Sequence, residues 1–400
     1  MAAKKLSSVE MDSGRSNQHE FNGSKALKEL FGTGLKTEYT AVFLYLTDDE
    51  NVRAEGKLTW YDSRANHPIR SEWRMYYPSS EVTEQASPGD SLFICKKVDN
   101  TLLVIIAAGD SIIESQLYWL FDIQSSADNK FEVQLAFRTE TAGIDFVIKM
   151  ILDELGIESR DALAEQYYEP MLERFHGEFP KTKEFSEFAR STVQDTDSVE
   201  EPDDALIKWF NREWDLFKLM EKYQIEKNLR QMMEAGNGID VQKFIDYSLS
   251  VQNRRKSRAG YSLENHISKI LEDNHITYSR TPVTENKARP DFIFPGIDCY
   301  NNLAYPAEYL TMLGAKSTCK DRWRQVLSEA ERIDIKHLLT LEAAISENQI
   351  IEMKARNLQL VVPLSIHSTY SKENQNWLYS VKQFIAEVKE KQAHGEKWLK

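Results

Sequence analysis

Between Tyr39 and about Phe137 the apolar residues fall in short runs: YTAVFLYL, EGKLTWY, SEWRMYY, SLFICKK, TLLVIIA and EVQLAF. The runs are rich in β-branched and aromatic residues and are separated by turn-forming residues, which predicts strands. One helical stretch, IIESQLYWLF, interrupts them. Ahead of them SKALKELFG reads as a short amphipathic helix, with Ser24 as N-cap and Gly32 as its stop. Several short strands with few helices predict a small barrel or sandwich. Residues 1–22 are polar, and disorder is expected there.

The period turns helical from Gly143 to about Ala189, as in DFVIKMILDELG. Residues 194–204, QDTDSVEEPDD, carry six acids and no base, the composition of an interdomain linker. Beyond it, ALIKWFNREWDLFKLMEKY and SLENHISKILEDN read as helices, the latter with Ser262 as N-cap. DFIFP, EYLTMLGAK, HLLTL and LQLVVP read as strands, and NQNWLYSVKQFIAEVKEKQ as a final helix. Alternating strands and helices predict an α/β domain. The division expected is a mostly-β domain over 23–192 with trailing helices, a linker over 193–204, and a second domain over 205–400.

A length of 400 residues agrees with two domains. The net charge of −13 argues against a uniformly basic surface, but a local basic cleft remains compatible with it. Three widely spaced cysteines and no CxxC pair argue against a disulfide framework and a structural zinc site. They fit a reducing, cytoplasmic location. The opening residues have no apolar run, so no secretory leader is expected, and no segment is long and apolar enough for a membrane span.

Candidate chemistry centres on Asp291 and Lys316. Asp291 heads the strand DFIFP, and Lys316 ends the next strand. A metal-dependent phosphodiesterase needs two or three carboxylates to hold a divalent cation, and a lysine to steady the attacking water or the transition-state charge. Carboxylate, strand and lysine form the PD-(D/E)xK arrangement. The acid that arrangement places two residues before the lysine is Gly314 here. Glu329, expected on a helix through DRWRQVLSEAERI, can supply it, and Glu264 can add a further carboxylate. Lys320, Asp321 and Arg322 form a base-acid-base triplet: the cations match guanine O6 and N7, and the acid matches cytosine N4. Arg254, Arg255, Lys256 and Arg258 suit phosphate contacts of a DNA backbone.

NRRKSRAGYSLENH, RPDFIFP and KSTCKDRWRQVLSEAERI followed by LQLVVP closely resemble the EcoRII-like type II restriction endonucleases. These belong to the CCGG group of PD-(D/E)xK nucleases, and the resemblance covers roughly residues 205–370. It implies a restriction-endonuclease-like α/β core that cuts DNA in the presence of magnesium, Mg²⁺. Asp291 and Glu329 would hold the metal, with Lys316 catalytic and Glu264 in support. Lys320, Asp321 and Arg322 would read the C·G pairs of a CC-N-GG-like site, possible variants being CCWGG or a flank-extended site. Flipped central bases would stack on Trp214 and Phe210, although the family commonly has an arginine at the earlier position. The family's dimeric habit implies a homodimer, and a cognate methyltransferase would act on the same site without needing to bind this chain. A looser resemblance in YDSRANHPIRSEWRMYY implies a B3-like effector domain in which Arg64, Glu72 and Arg74 contact DNA; Trp73 stands where a lysine is expected. The alternatives are a strand-nicking repair nuclease and a non-cleaving DNA-binding regulator.

Overall fold

The structure is a computed structural model that describes residues 1–7, 19–48, 50–97, 99–123, 132–133, 148–149, 151–152, 162–234, 241–319 and 322–398. The chain divides into two units, Met1–Glu140 with Ala344–Gln349, and Thr141–Ala343 with Ile350–Lys400. The helices Tyr168–Phe175 and Thr182–Ser191, expected to trail the first domain, therefore belong to the second unit.

The first unit is built on eight strands: β1 (Ala2–Lys5), β2 (Glu20–Asn22), β3 (Thr37–Leu46), β4 (Asn51–Asp62), β5 (Trp73–Tyr76), β6 (Ser91–Lys96), β7 (Leu102–Ala107) and β8 (Glu132–Val133). They form one sheet in the order β2-β5-β4-β3-β7-β6-β1-β8. β3 and β4 make a long antiparallel hairpin running from Thr37↔Trp60 to Leu46↔Asn51, and β3 pairs in parallel with β7. Phe43, Leu58, Trp60, Trp73, Met75, Ile94 and Val104 are among the residues of its core. The Trp60 ring stacks on Trp73 at 5.2 Å, and its indole N–H donates to Gly32 O at 2.8 Å, so the buried nitrogen has a partner. Gly32 also closes the helix Lys25–Phe31, its N–H donating to Lys28 O at 2.8 Å, and Ser24 caps the helix start by accepting from Leu27 N. Gly32 has φ 77°, a left-handed backbone that glycine adopts without strain.

The expectation of disorder over residues 1–22 does not hold for its two described ends. β1 lies inside the sheet, with Ala2 opposite Ile94 on one side and Val133 on the other. Phe21 of β2 is buried and stacks on Tyr77 at 4.5 Å. Both segments are too short to show a period. Their order comes from hydrogen bonds supplied by distant strands. Most of the predicted helix DFVIKMILDELG and most of EVQLAF lie outside the described residues; residues 148, 149, 151 and 152 of the former are helical.

The second unit carries a five-stranded sheet, β13-β12-β11-β10-β9. Its strands are β9 (Ser279–Arg280), β10 (Phe292–Phe294), β11 (Thr311–Lys316), β12 (Lys336–Thr340) and β13 (Leu358–Val361). β11, β12 and β13 are parallel, while β10 is antiparallel to both neighbours. Parallel strands covered on both faces read as unbroken apolar runs, as TMLGA and HLLT do. β11 begins at Thr311; Glu308 and Tyr309, expected as strand, lie in the 3-10 turn Ala307–Tyr309.

Two helices of 33 residues, Pro202–Glu234 and Val241–Asp273, dominate the rest. Ser262 is not an N-cap, because the second helix runs straight through it. Gly260 there faces open space, and Leu263, Ile267, Ile270 and Leu271 are completely buried, so tertiary packing outweighs the local break signal. The final helix, expected from Asn374, starts only at Val381, where a capping box between Ser380 and Gln383 sets its N-terminus; Lys372–Gln375 is a separate short helix.

Residues 193–204 lie within the second unit. Ser198 donates to Asp273 at 2.6 Å, and Asn274 Nδ2 donates to Ser198 O at 2.9 Å. The carboxylate of Asp203 accepts from Leu364 N, Val381 N and Lys382 N at 3.0, 2.8 and 3.0 Å. An acidic run is compatible with this because one acid satisfies three backbone donors, two of them at a helix start. Asp203→Ala is expected to destabilise the second unit by about 1–3 kcal/mol, since it leaves those donors without their charged acceptor. Urea unfolding monitored by tryptophan fluorescence measures this, and an unchanged midpoint would count against the staple.

Candidate active site

Asp291 precedes β10, and the pairing of Phe292 with Leu313 brings it beside the C-terminal end of β11. Its Oδ2 accepts from Ala315 N at 2.7 Å and from Lys316 Nζ at 2.9 Å. The backbone bond fixes the carboxylate, and the carboxylate in turn fixes the ammonium group. Oδ1 of Asp291 accepts no hydrogen bond among the described residues.

Glu329 lies thirteen residues after Lys316, on a turn and not on a helix. Among the described residues of the predicted stretch, α-helix is confined to Trp323–Val326. The chain then turns, with Ala330 at φ 50° and its carbonyl held, together with that of Ile333, by Lys336 Nζ. Burial and then the charge of Asp291 push the Glu329 carboxyl up to about 7, against the pull of Lys316 and Lys336. Glu264 is also raised, first by burial and then by Asp291, while Arg280 opposes the shift from 2.9 Å away. Asp291 is thus the common neighbour of two acids that resist ionising beside it. Among the described residues no three His, Cys, Asp or Glu side chains stand close enough together to hold a metal ion as they are. The donor set itself, hard carboxylate oxygens that repel one another, suits a hard divalent cation that would relieve the repulsion.

Gly314 explains why the acid is not on the strand. A Cβ built there meets Val326 Cγ2 at 3.0 Å and Leu338 Cδ1 at 3.5 Å. The helix Trp323–Val326 packs on the bare face of the glycine and leads the chain on to Glu329. Restoring the two-residue spacing with Gly314→Glu is therefore expected to overpack this contact by about 1–3 kcal/mol. It should not return cleavage to a Glu329→Gln protein. A thermal melt and a plasmid digest check both halves of that statement.

The remaining predicted residues have mixed fates. Arg322 is exposed, and its N–H donates to Cys319 O at 2.9 Å; Lys320 and Asp321 lie outside the described residues. Cys319 N donates to the buried carboxylate of Glu342 at 2.9 Å, a contact that no sequence spacing announced. In the basic cluster, Arg254 sits over the Phe179 ring at 5.0 Å and Arg255 pairs with the buried Glu221 at 2.6 Å. Arg258 donates to Pro180 O at 2.6 Å and packs on Phe179 and Phe185. Arg258 thus holds the unit together instead of lying free for a phosphate, because its helix face points inward. The side chain of Lys256 lies outside the described residues. Phe210 is 3 % exposed and offers no face to a flipped base, in contrast to the expectation. Its position one turn before Trp214 falls on the buried side of the helix. Trp214 is half-buried, stacked on Phe217 at 5.5 Å, with Lys218 Nζ 5.7 Å from its ring.

In the first unit Arg64, Glu72 and Arg74 do meet. Glu72 pairs with Arg64 at 2.5 Å and with Arg74 at 2.7 Å, and Arg74 reaches Glu20 at 2.7 Å. Tyr61 donates to the same Glu20. Trp73 points into the core, which accounts for a tryptophan between two charged residues. Glu20 was hidden because its segment read as disordered.

Residues 217–385 match the family model described as EcoRII C terminal. Over 217 residues the chain is 38% identical to the type II restriction enzyme EcoRII of Escherichia coli. That alignment covers 54% of this chain and 52% of that protein, so the chain spans about half the length of the curated relative it matches. Residues 217–385 are thus similar to an EcoRII C-terminal domain. Asp291, Lys316, Glu329 and Glu264 all lie within the matched residues, as do Arg254, Arg255 and Arg258, whereas Phe210 and Trp214 precede them. Among solved structures, a metal-depleted Ecl18kI in complex with uncleaved DNA is 18% identical, with a TM-score of 0.44, covering 59% of this chain and 86% of that one. A PspGI restriction endonuclease bound to substrate DNA is 17% identical, with a TM-score of 0.42, covering 53% and 93%.

Proposed function

We propose that this chain is a type II restriction endonuclease that hydrolyses double-stranded DNA at a CC-N-GG-like site. The observation that carries the reading is the bond of Lys316 to Asp291 with Glu329 raised beside them, inside residues similar to an EcoRII C-terminal domain. Asp291 and Glu329 would hold magnesium, with Glu264 behind them. When bound, the metal supplies a Lewis acid and a more acidic water. Asp291 holds the Lys316 ammonium group in place, where it lies ready to meet negative charge that develops on the phosphate oxygens. Ala315 N holds the carboxylate, so the lysine is oriented before substrate arrives. Lys320, Asp321 and Arg322, which follow the catalytic strand directly, would read the C·G pairs. Trp214, the less buried of the two predicted aromatics, is the better stacking surface for a flipped base. The first unit would act as a B3-like effector domain through Arg64, Glu72 and Arg74, in a homodimer whose site a cognate methyltransferase also modifies.

The test is a digest of a sequenced plasmid by purified protein with Mg²⁺, and mapping of the cut ends. Double-strand cuts bounding CC and GG with 5′-phosphates support the reading. Nicks in one strand would move it to a repair nuclease. No cleavage with Mg²⁺ or Mn²⁺, despite DNA binding, would leave a regulator.

A further inference from the structure

Within the second unit a polar cleft of about 560 Å³ opens between the helices Thr182–Ser191 and Val241–Asp273. Lys183, Arg190, Lys269, Arg280, Asn265 and Tyr278 line it, all side chains that can donate hydrogen bonds; the acids Glu187 and Glu272 also line it and are exposed. None of these residues has a role in the hydrolysis described above, although Arg280 also bonds Glu264.

Arg190 is the unusual member. It is largely buried, yet no carboxylate bonds it among the described residues. Its guanidinium donates to His266 Nδ1 at 3.1 Å and lies 5.8 Å from the Trp209 ring. His266 is completely buried, and burial holds it below the ordinary imidazole range, so it stays neutral and accepts. Its Nε2 sits 2.9 Å from the buried Glu213. The guanidinium is thus bonded to a neutral imidazole whose other nitrogen lies close to a carboxylate, and this row of groups ends at the cleft. Such a chain fixes the orientation of an arginine that has other donors still to use. Nearby Lys183 has no hydrogen-bond or ion-pair partner among the described residues and is exposed.

We propose that this cleft binds a phosphate group, with Arg190 as its fixed fork and Lys183 as the mobile cation at its rim. Planar guanidinium donors and a flexible ammonium are the pair of groups that suit phosphate oxygens. The source is a phosphate of the DNA strand outside the cut site, or a free phosphate such as that of a nucleotide. The inference does not depend on cleavage, and its first arm needs no DNA.

Full-length protein in EDTA is titrated with inorganic phosphate by calorimetry, and DNA binding is measured across a salt series. Lys183→Gln should weaken phosphate binding by roughly 3–10-fold with an unchanged melting temperature, and Arg190→Gln by more. Arg190→Gln risks unsettling His266, which is why the rim variant is the main probe. A slope of log affinity against log salt that falls by about one in Lys183→Gln identifies a strand phosphate. Weaker phosphate binding with an unchanged slope identifies a free phosphate. Unchanged phosphate binding together with an unchanged slope in both variants overturns the site.

Discussion

Lys316→Ala will bind its DNA and fail to cut it. Among the described residues the lysine is the one cation bonded to Asp291, at 2.9 Å, and the same carboxylate oxygen is held by Ala315 N. Removing a single oriented group that stabilises developing charge costs about 10²–10³-fold in rate. The loss here should lie at the upper end, because the same ammonium also lowers the cost of crowding Asp291 against Glu329 and Glu264. Binding depends on other contacts and should change little. Gel-shift affinity and single-turnover cleavage, measured side by side, separate the two effects. Cleavage within tenfold of the parent protein would remove Lys316 from the mechanism.

Glu329→Gln should give a protein that is more stable and inactive. The Glu329 carboxyl stands at about 7 in the folded chain against an ordinary value of 4.5. The folded value is the higher one, so the unfolded chain releases a proton that the folded chain keeps. Stability is therefore lost as pH rises from about 4.5 through 7. At 1.36 kcal/mol per unit the ceiling is about 3 kcal/mol, and solvent screening of a half-buried group leaves about 1–2 kcal/mol. Urea melts in EDTA should show that gain for the glutamine variant at pH 8 and none near pH 4. The same proton competes with a cation, so cleavage by the parent protein at limiting magnesium should climb through pH 7. Equal stability of the two proteins at pH 8 would mean that neither burial nor Asp291 disfavours the Glu329 carboxylate.

Much of this site was legible because its chemistry is local. Asp291 and Lys316 bracket two strands whose apolar runs are plain, and the structure brings them together. Glu329 could be named from the missing acid at Gly314, but not its setting: a thirteen-residue connection gives no period from which to read a turn. The failures share a cause. Ser262 looked like a cap, Ala2–Lys5 looked disordered, and Phe210 and Arg258 looked available. In each case the deciding partner comes from a remote part of the chain. The acidic run over 194–204 failed in the same way, since nothing local shows that Asp203 will meet Val381. A truncation meant to free the second unit should therefore end near residue 140 and not at 204, where it would remove the staple.

The turn that carries Glu329 bears on how such a site can change over generations. An acid on the lysine strand is bound to the two-residue repeat of that strand, and any insertion between them turns it to the opposite face. An acid on a connection escapes that constraint. The loop between Lys316 and Glu329 can gain or lose residues while the lysine keeps its place, provided Val326 still covers Gly314. Divergence of this segment, which also holds Lys320, Asp321 and Arg322, can then proceed without dismantling the pairing of Asp291 with Lys316. A search keyed to fixed spacing would pass over the descendants.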